Sequence, residues 1–186
     1  MPIIYYFIKP ENLHTLIDEF EKDGKKIIKP SLIQKLMGKK EEVLYQTQEI
    51  LSKYTIPVDL KAKYTYFTLY PLELACMNKN IEFIGESLDR KLDDKLNVFR
   101  QKWEWYDIVL PERANKIIDE ISNLKVENII TKKEVLNNKY LTNESKYTSK
   151  EDIDWFYKAV DETFTLIKNL LLYAQKNQLV LLLSAL

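Results

Sequence analysis

The single histidine and the single cysteine are the first side chains to consider for catalysis, because a thiolate and an imidazole together form a common nucleophilic pair. His14 lies between Leu13 and Thr15 in a helical pattern, and Cys76 follows Ala75 in an apolar helical stretch. An ordinary helix residue and a buried structural thiol are the commoner interpretations of such positions. Only the tertiary fold could bring the two together, and nothing near His14 in the sequence indicates a triad.

Two groups of carboxylates are the next candidates, since hydrolysis of a glycosidic bond requires two carboxyl groups that face each other across the substrate. The groups are Asp93-Asp94 and the trio Glu151, Asp152 and Asp154. The polar face of a helix accounts for the first group, and the negative charge favoured at a helix N-terminus accounts for the second. The sequence shows no EF-hand spacing, and its three glycines are isolated, so neither a calcium loop nor a phosphate loop is indicated. We predict no catalytic residue, no metal site and no cofactor.

Tryptophan and tyrosine form the remaining candidate set, because both are enriched among the residues that dominate protein-binding energy. Trp103, Trp105 and Tyr106 lie close together, and Trp155 follows much later. The same residue types are ordinary core residues in a chain with 12% aromatic content. We predict these four as possible partner-binding residues. The alternative interpretation is that they are core residues.

The charge balance argues against a polyanionic partner. Lysine and arginine number 28, aspartate and glutamate number 28, and the formal net charge is zero, so we expect neither nucleic acid nor a membrane surface as a partner. A basic N-terminal sector lacks interleaved aromatic residues, which is typical of a solvated face; its lysines are Lys25, Lys26, Lys29, Lys39 and Lys40. One cysteine, no signal peptide and no membrane-length apolar run favour a reduced, cytoplasmic setting. The lysine, isoleucine and asparagine usage suggests a bacterial source.

The long segment from Ser149 to Lys176 is the clearest element that could position these side chains. Ser149 and Asp152 form a variant capping box, and apolar residues then recur every three or four positions. These are Ile153, Phe156, Val160, Phe164, Ile167, Leu171 and Ala174. The apolar run Leu179–Leu183 favours a buried strand over an extension of the helix. We expect this strand and a second apolar strand, Ile3–Ile8, to share one small sheet with the long helix packed on it.

The remaining segments predict mostly short amphipathic helices. Helices are expected over 10–24, 31–37, 41–53, 61–70, 71–77, 87–103 and 111–123, and Thr131 with Glu134 forms a capping box for another. The interval 61–70 also has strand propensity. Strands are expected over 105–110 and, weakly, over 126–130, with a strand or loop over 80–85 and a connector over 25–30. No internal repeat or linker is visible, so we predict one domain, 1–186. Its class is α+β, predominantly helical, with a small sheet and a long C-terminal helix followed by a short strand.

The order of these features resembles the YfbM-like family of bacterial proteins of unknown function. Three parts carry the resemblance: Met1–Phe7 with Pro10–Leu13, then Asp59–Ala62 leading into Tyr64–Leu69, and Phe156–Ala174 leading into Leu179–Leu183. The central part lacks the tryptophan and histidines usual in that family. The resemblance implies a one-domain α+β fold and assigns no activity and no site residue.

Three functions fit these observations. The first is a non-enzymatic protein that binds or regulates another protein, for example an immunity protein for a bacterial toxin. The second is a small hydrolase that uses carboxylates, and the third is a sensor with an aromatic pocket for a small ligand. A binding protein should expose an aromatic or acidic patch and have no deep polar pocket, whereas an enzyme should bring two or more titratable groups with perturbed pKa together in a cleft. The sequence favours binding because it contains no catalytic motif, and it indicates no oligomeric state.

Overall fold

The computed structural model describes residues 2–30, 42–58, 64–85, 94–103, 105–137 and 150–185. The strands are β1 (Pro2–Ile8), β2 (Lys25–Ile28), β3 (Glu42–Tyr45), β4 (Thr55–Ile56), β5 (Tyr64–Thr65), β6 (Trp105–Val109) and β7 (Val180–Ala185). The helices are α1 (Pro10–Asp23), α2 (Thr47–Tyr54), α3 (Tyr66–Asn78), α4 (Asp94–Lys102), α5 (Pro111–Ile121), α6 (Val126–Ile129), α7 (Lys132–Asn137) and α8 (Lys150–Asn177). The class is α+β, as predicted.

The main sheet is antiparallel and is centred on the pairing of β1 with β7. Its order is β4-β1-β7-β6, and β5 pairs with the same edge of β1 as β4. The register between β1 and β7 runs without a break from Ile3 opposite Ala185 to Ile8 opposite Val180. The predicted sheet of the two most apolar strands is therefore confirmed.

Helices cover both faces of this sheet, and alternate residues of the central strands supply two cores. Leu181 and Leu183 contribute to the core beneath α3, α5, α6 and α8, whereas Val180 and Leu182 contribute to the core beneath α1, α2 and α4. This explains why the run Leu179–Leu183 contains no polar residue. The rings of Phe7 and Tyr173 lie 4.8 Å apart between their centroids and pack α8 directly on β1.

The capping box predicted at the start of α7 is confirmed. Glu134 accepts hydrogen bonds from the backbone N–H and the hydroxyl of Thr131, and the N–H of Glu134 donates to the Thr131 hydroxyl. These bonds lower the pKa of Glu134 below its ordinary value. The proposed cap Ser149 and the predicted helix 31–37 lie outside the described residues, whereas the helix 150–177 itself is present.

Two predictions in the N-terminal third are wrong. Lys25–Ile28 was predicted as a connector and is strand β2, and the first residues of the predicted helix 41–53 form strand β3. The two strands pair with each other, Lys25 opposite Tyr45 and Ile27 opposite Val43. Pairing across an intervening segment offsets the weak local propensity of a lysine-rich strand, and that segment gives no turn signal that would reveal the pairing.

Two further boundaries differ from the predictions. Pro71 was expected to start a helix, but it lies inside the continuous helix α3. A proline there removes one backbone hydrogen bond and costs about 3 kcal/mol, and burial of Leu69, Leu72 and Cys76 beside it offsets that cost. The weak strand predicted over 126–130 is instead the single-turn helix α6. The side chain of Asn128 caps the N-terminus of this helix by accepting a hydrogen bond from the Lys125 N–H.

The units β1–α1 and β6–α5 share a sequence pattern that becomes visible once the two strands are placed beside β7. Both strands pair with β7 and so run parallel to each other. Shifting residue 10 onto residue 111, an offset of 101, aligns identical residues in the two helices: Pro10/Pro111, Glu11/Glu112, Ile17/Ile118, Asp18/Asp119 and Glu19/Glu120. It also superimposes every apolar residue that α1 buries on one that α5 buries.

The two helices nevertheless lie on opposite faces of the sheet. Phe7 and Val109 both sit opposite Leu181, and that strand offset, 109 − 7 = 102, is one residue more than the helix offset. A one-residue difference in an extended chain reverses the face towards which it points. The same helix pattern can therefore serve both layers.

Candidate protein-binding surface

The described structure contains one cluster of buried charged groups, which we call the buried carboxylate cluster: Glu73, Tyr106, Asp107 and Arg113. Helix α3 supplies Glu73, strand β6 supplies Tyr106 and Asp107, and the first turn of α5 supplies Arg113. Glu73 and Asp107 are fully buried. The Tyr106 hydroxyl donates a hydrogen bond to Glu73.

Asp107 is held by donors from three segments. The Arg113 Nη1 lies 2.8 Å from Asp107 Oδ1, the Ile108 N–H donates to the same oxygen at 2.7 Å, and the Gly85 N–H donates to Oδ2 at 3.0 Å. Arg113 also donates to the carbonyl oxygen of Phe83 at 2.7 Å. The cluster thereby joins the loop that ends at Gly85 to β6 and α5.

The outer edge of the cluster is an ion-pair chain. Glu82 accepts from Arg113 Nε at 3.2 Å and from Lys116 Nζ at 2.7 Å. Burial alone would raise the pKa of Glu82, but the two hydrogen bonds prevail and lower it below its ordinary value. Burial likewise opposes the charge of Arg113, yet the facing Asp107 raises the pKa of the guanidinium overall. Loss of one member of such a buried pair would leave an uncompensated charge in the interior, and both carboxylates are closed to solvent.

The fold separates the histidine from the cysteine. Cys76 is buried in the core beneath α8, and burial raises the pKa of its thiol to about 12, so it is not a nucleophile at neutral pH. His14 is exposed on α1, which packs on the opposite face of the sheet. It lines an open cleft of about 340 Å³ with Glu112 and Gln178 as its other polar side chains.

The acidic candidates do not converge either. Asp94 is exposed at the start of α4, and Asp93 lies outside the described residues. Asp154 is exposed on α8 and pairs with Lys132 on α7. The side chains of Glu151 and Asp152 are outside the described set. Among the described residues, no group of three His, Cys, Asp or Glu side chains could hold a metal ion.

The four predicted partner-binding residues fall into three environments. Trp105 and Tyr106 are buried, one in each core, so neither side chain presents a surface to a partner. Trp155 is 60% exposed on α8. Trp103 is half-buried at the end of α4, against α1 and the start of β2. The structure thus does not bring the four together.

Trp103 belongs instead to an exposed surface on the two-stranded sheet, which we call the hairpin surface: Lys25, Ile27, Tyr45 and Trp103. Lys25 and Ile27 alternate along β2, and Tyr45 is paired with Lys25, so the three side chains share one face. Tyr45 is 63% exposed and Ile27 is 57% exposed. Leu44, on the reverse face, is 43% exposed, so apolar groups are open to solvent on both sides of the hairpin.

Trp103 is fixed in place by close packing. Its ring meets that of Phe20 edge-on at 4.8 Å between centroids. A Cβ atom added to Gly24 would lie 2.2 Å from Cη2 of Trp103, so the indole occupies the space that any other residue at position 24 would fill. The indole N–H is buried without a hydrogen-bond partner among the described residues. This edge of the hairpin surface is therefore rigid.

Lys25 joins the strand to the tryptophan. Its Nζ lies 5.4 Å from the centroid of the Tyr45 ring and 5.4 Å from that of the Trp103 ring, which is within cation–π range of both. Among the described residues, Lys25 and the neighbouring Lys26 form no ion pair. The hairpin surface thus combines exposed apolar groups with positive charge that no described carboxylate neutralises.

Sequence reasoning identified Trp103 and the lysines but missed Ile27, Leu44 and Tyr45. The lysine sector was judged to lack aromatic residues because Tyr45 and Trp103 lie far from Lys25 along the chain. The β-branched residues Ile27, Ile28 and Val43 were the available strand signal. No sequence pattern could indicate that these strands would stay outside the main sheet.

Comparison with known proteins gives no relative: no protein-family model, no curated protein and no solved structure matches the chain. The resemblance to the YfbM-like family stays a prediction. Across the described residues, no helix combines the length and apolar character needed to cross a membrane.

Proposed function

We propose that this protein acts by binding another protein through the hairpin surface and does not catalyse a reaction. The observation that supports this most is the exposure of Tyr45 and Ile27 beside the fixed ring of Trp103. Scattered apolar residues are normal on a surface, but a contiguous group with an aromatic anchor is typical of an interaction site.

The chemistry of the interior fits the same proposal. The described carboxylates that are buried, Glu73 and Asp107, are engaged by Tyr106 and Arg113, and the Cys76 thiol is buried and protonated. These groups account for stability in the fold. Neutralisation of a bacterial toxin by an immunity protein is one function of the proposed kind, since it requires only tight occupation of the toxin surface.

Site-specific cross-linking in the source cell tests this proposal. A photoreactive amino acid replaces Tyr45 in one full-length variant and Trp155 in another, which compares the two most exposed aromatic positions among the described residues. We expect one protein to be cross-linked from position 45 and not from position 155. An adduct from position 155 alone, or from neither position, would contradict the proposal.

The partner that the cross-link identifies is then purified on its own, and affinity measurements with it complete the test. Tyr45→Ala should weaken binding by roughly tenfold or more, as truncation of a central aromatic contact does. Val98→Ala is the matched control because Val98 is a similarly exposed apolar residue on α4. Its effect should stay within about twofold. Equal affinities for wild-type and Tyr45→Ala proteins would show that the adduct came from a chance encounter.

A further inference from the structure

We infer that the partner of the hairpin surface is a different protein that presents an acidic segment carrying an apolar or aromatic side chain. This inference rests on the proposed function and specifies the chemistry of the partner. Its basis is the charge of the segment that builds the hairpin, together with the position of Lys25 between two rings.

The segment 25–45 is strongly basic in a neutral chain. It contains six lysines (25, 26, 29, 35, 39 and 40) and two glutamates (41 and 42), so its net charge is 6 − 2 = +4. The whole chain has net charge zero, and the remaining residues therefore carry −4. Of these lysines, Lys25, Lys26 and Lys29 lie in the described part of the segment, and all three are exposed. Exposed positive charge of this kind attracts an acidic partner and speeds the encounter with it.

Lys25 is placed to receive a carboxylate. The two aromatic rings at 5.4 Å hold its ammonium group beside the apolar surface, and no described carboxylate pairs with it. Elsewhere on the same side of the molecule, lysines are paired: Lys53 with Glu19, and Lys102 with Glu21. A partner carboxylate at Lys25 would complete a charge-assisted contact next to an apolar one.

Charge also decides between this partner and a second copy of the chain. Two hairpin surfaces brought together would bring Lys25 of one copy towards Lys25 of the other, and like charges across an interface oppose association. Acidic residues elsewhere on a second copy could attract Lys25, but Ile27 and Tyr45 would then still need an apolar counterpart. A separate acidic protein satisfies both requirements.

A nucleic acid is the other polyanion to weigh. Recognition of single strands relies on aromatic faces that are open for stacking. Trp103 is half-buried with its ring packed edge-on against Phe20, which leaves Tyr45 as the one well-exposed ring of the hairpin surface. Exposed Ile27 gains nothing from phosphates, whereas a protein partner would cover it.

The test uses the partner protein that is identified by cross-linking from position 45 and then purified. Its affinity for full-length variants of this chain is measured at low and at high salt. Wild-type affinity should fall roughly tenfold between about 50 mM and about 500 mM NaCl. The variant Lys25→Glu should bind at least roughly tenfold more weakly at low salt and lose most of the salt dependence. Lys133→Glu, an exposed lysine on α7, is the matched control and should stay within about twofold. Circular dichroism confirms that each variant is folded.

The outcomes separate the two proposals. Affinity that is insensitive to salt and to charge reversal, yet still lowered by Tyr45→Ala, would overturn the acidic partner and leave the proposed function intact. The absence of any adduct would overturn both. Equally tight binding of a single-stranded oligothymidylate would assign the surface to nucleic acid. If the chain dimerised in sedimentation experiments and Tyr45→Ala abolished the dimer, the hairpin surface would be assigned to a second copy.

Discussion

The buried carboxylate cluster and the hairpin surface are built from the same kinds of residue, yet they differ in solvent access and in pairing. Each combines charged and aromatic side chains, and each depends on a glycine that leaves room for them. Asp107 and Arg113 neutralise each other in the interior, whereas Lys25 sits between two rings at the surface without a described acidic partner. A charge that is paired inside a fold cannot lose its partner without destabilising the fold, whereas a charge left open at an apolar surface is available to a partner.

Removal of one cation from each region should give the largest difference between them. Arg113→Met leaves the buried Asp107 charge without its guanidinium, and we expect the free energy of unfolding to fall by about 3–5 kcal/mol. Lys25→Met, the matched change on the hairpin surface, should alter it by less than about 0.5 kcal/mol. Urea denaturation at neutral pH measures both. If Arg113→Met were as stable as the wild type, the cluster would not be the structural tie described above.

The two glycines give the next largest effect. At Gly85 the backbone φ is +155°, and an added Cβ would lie 2.1 Å from the carboxyl carbon of Glu73. Gly85→Ala should therefore cost about 1–3 kcal/mol of stability. Gly24→Ala should instead displace the Trp103 ring, which tryptophan fluorescence reports, and weaken partner binding. Unchanged fluorescence in Gly24→Ala would show that the ring is not held by that contact.

The pH dependence of stability should give the smallest effect, and of the two regions compared only the buried cluster should show it. The pKa of Glu82 is lowered from 4.5 in the folded protein, so its stabilising contribution is complete above the unfolded value and is lost as the pH falls through the folded value. Between about pH 6 and pH 3, the free energy of unfolding of the wild type should fall by up to about 1 kcal/mol more than that of Glu82→Gln. The difference is small because Lys116 is exposed, so that solvent screens its contact with Glu82. If the stability of Glu82→Gln changed with pH in parallel with that of the wild type, ionised Glu82 would not stabilise the fold.

The sequence predicts well those parts of the fold whose signal is local and repeated. The long helix, the strands β1 and β7 and the Thr131 capping box each carry their pattern within one segment. The pairing of β2 with β3 depends on contacts between residues far apart in the chain, so the local pattern at Lys25–Ile28 indicates only a connector. Burial is likewise a tertiary property. Trp103, Trp105 and Tyr106 are near neighbours with similar character, and only the fold places the first near the surface and the other two inside.

The central position of β7 bears on how this chain reaches its folded state. Ile3 pairs with Ala185, so the strand that joins β1 to β6 is made long after β1 has been synthesised. Until it arrives, the two strand–helix units cannot share a sheet, and their strand edges and apolar helix faces stay open to incorrect association. Contacts of such long sequence separation slow folding. The nascent chain should therefore depend on chaperones more than a helical protein of equal length would.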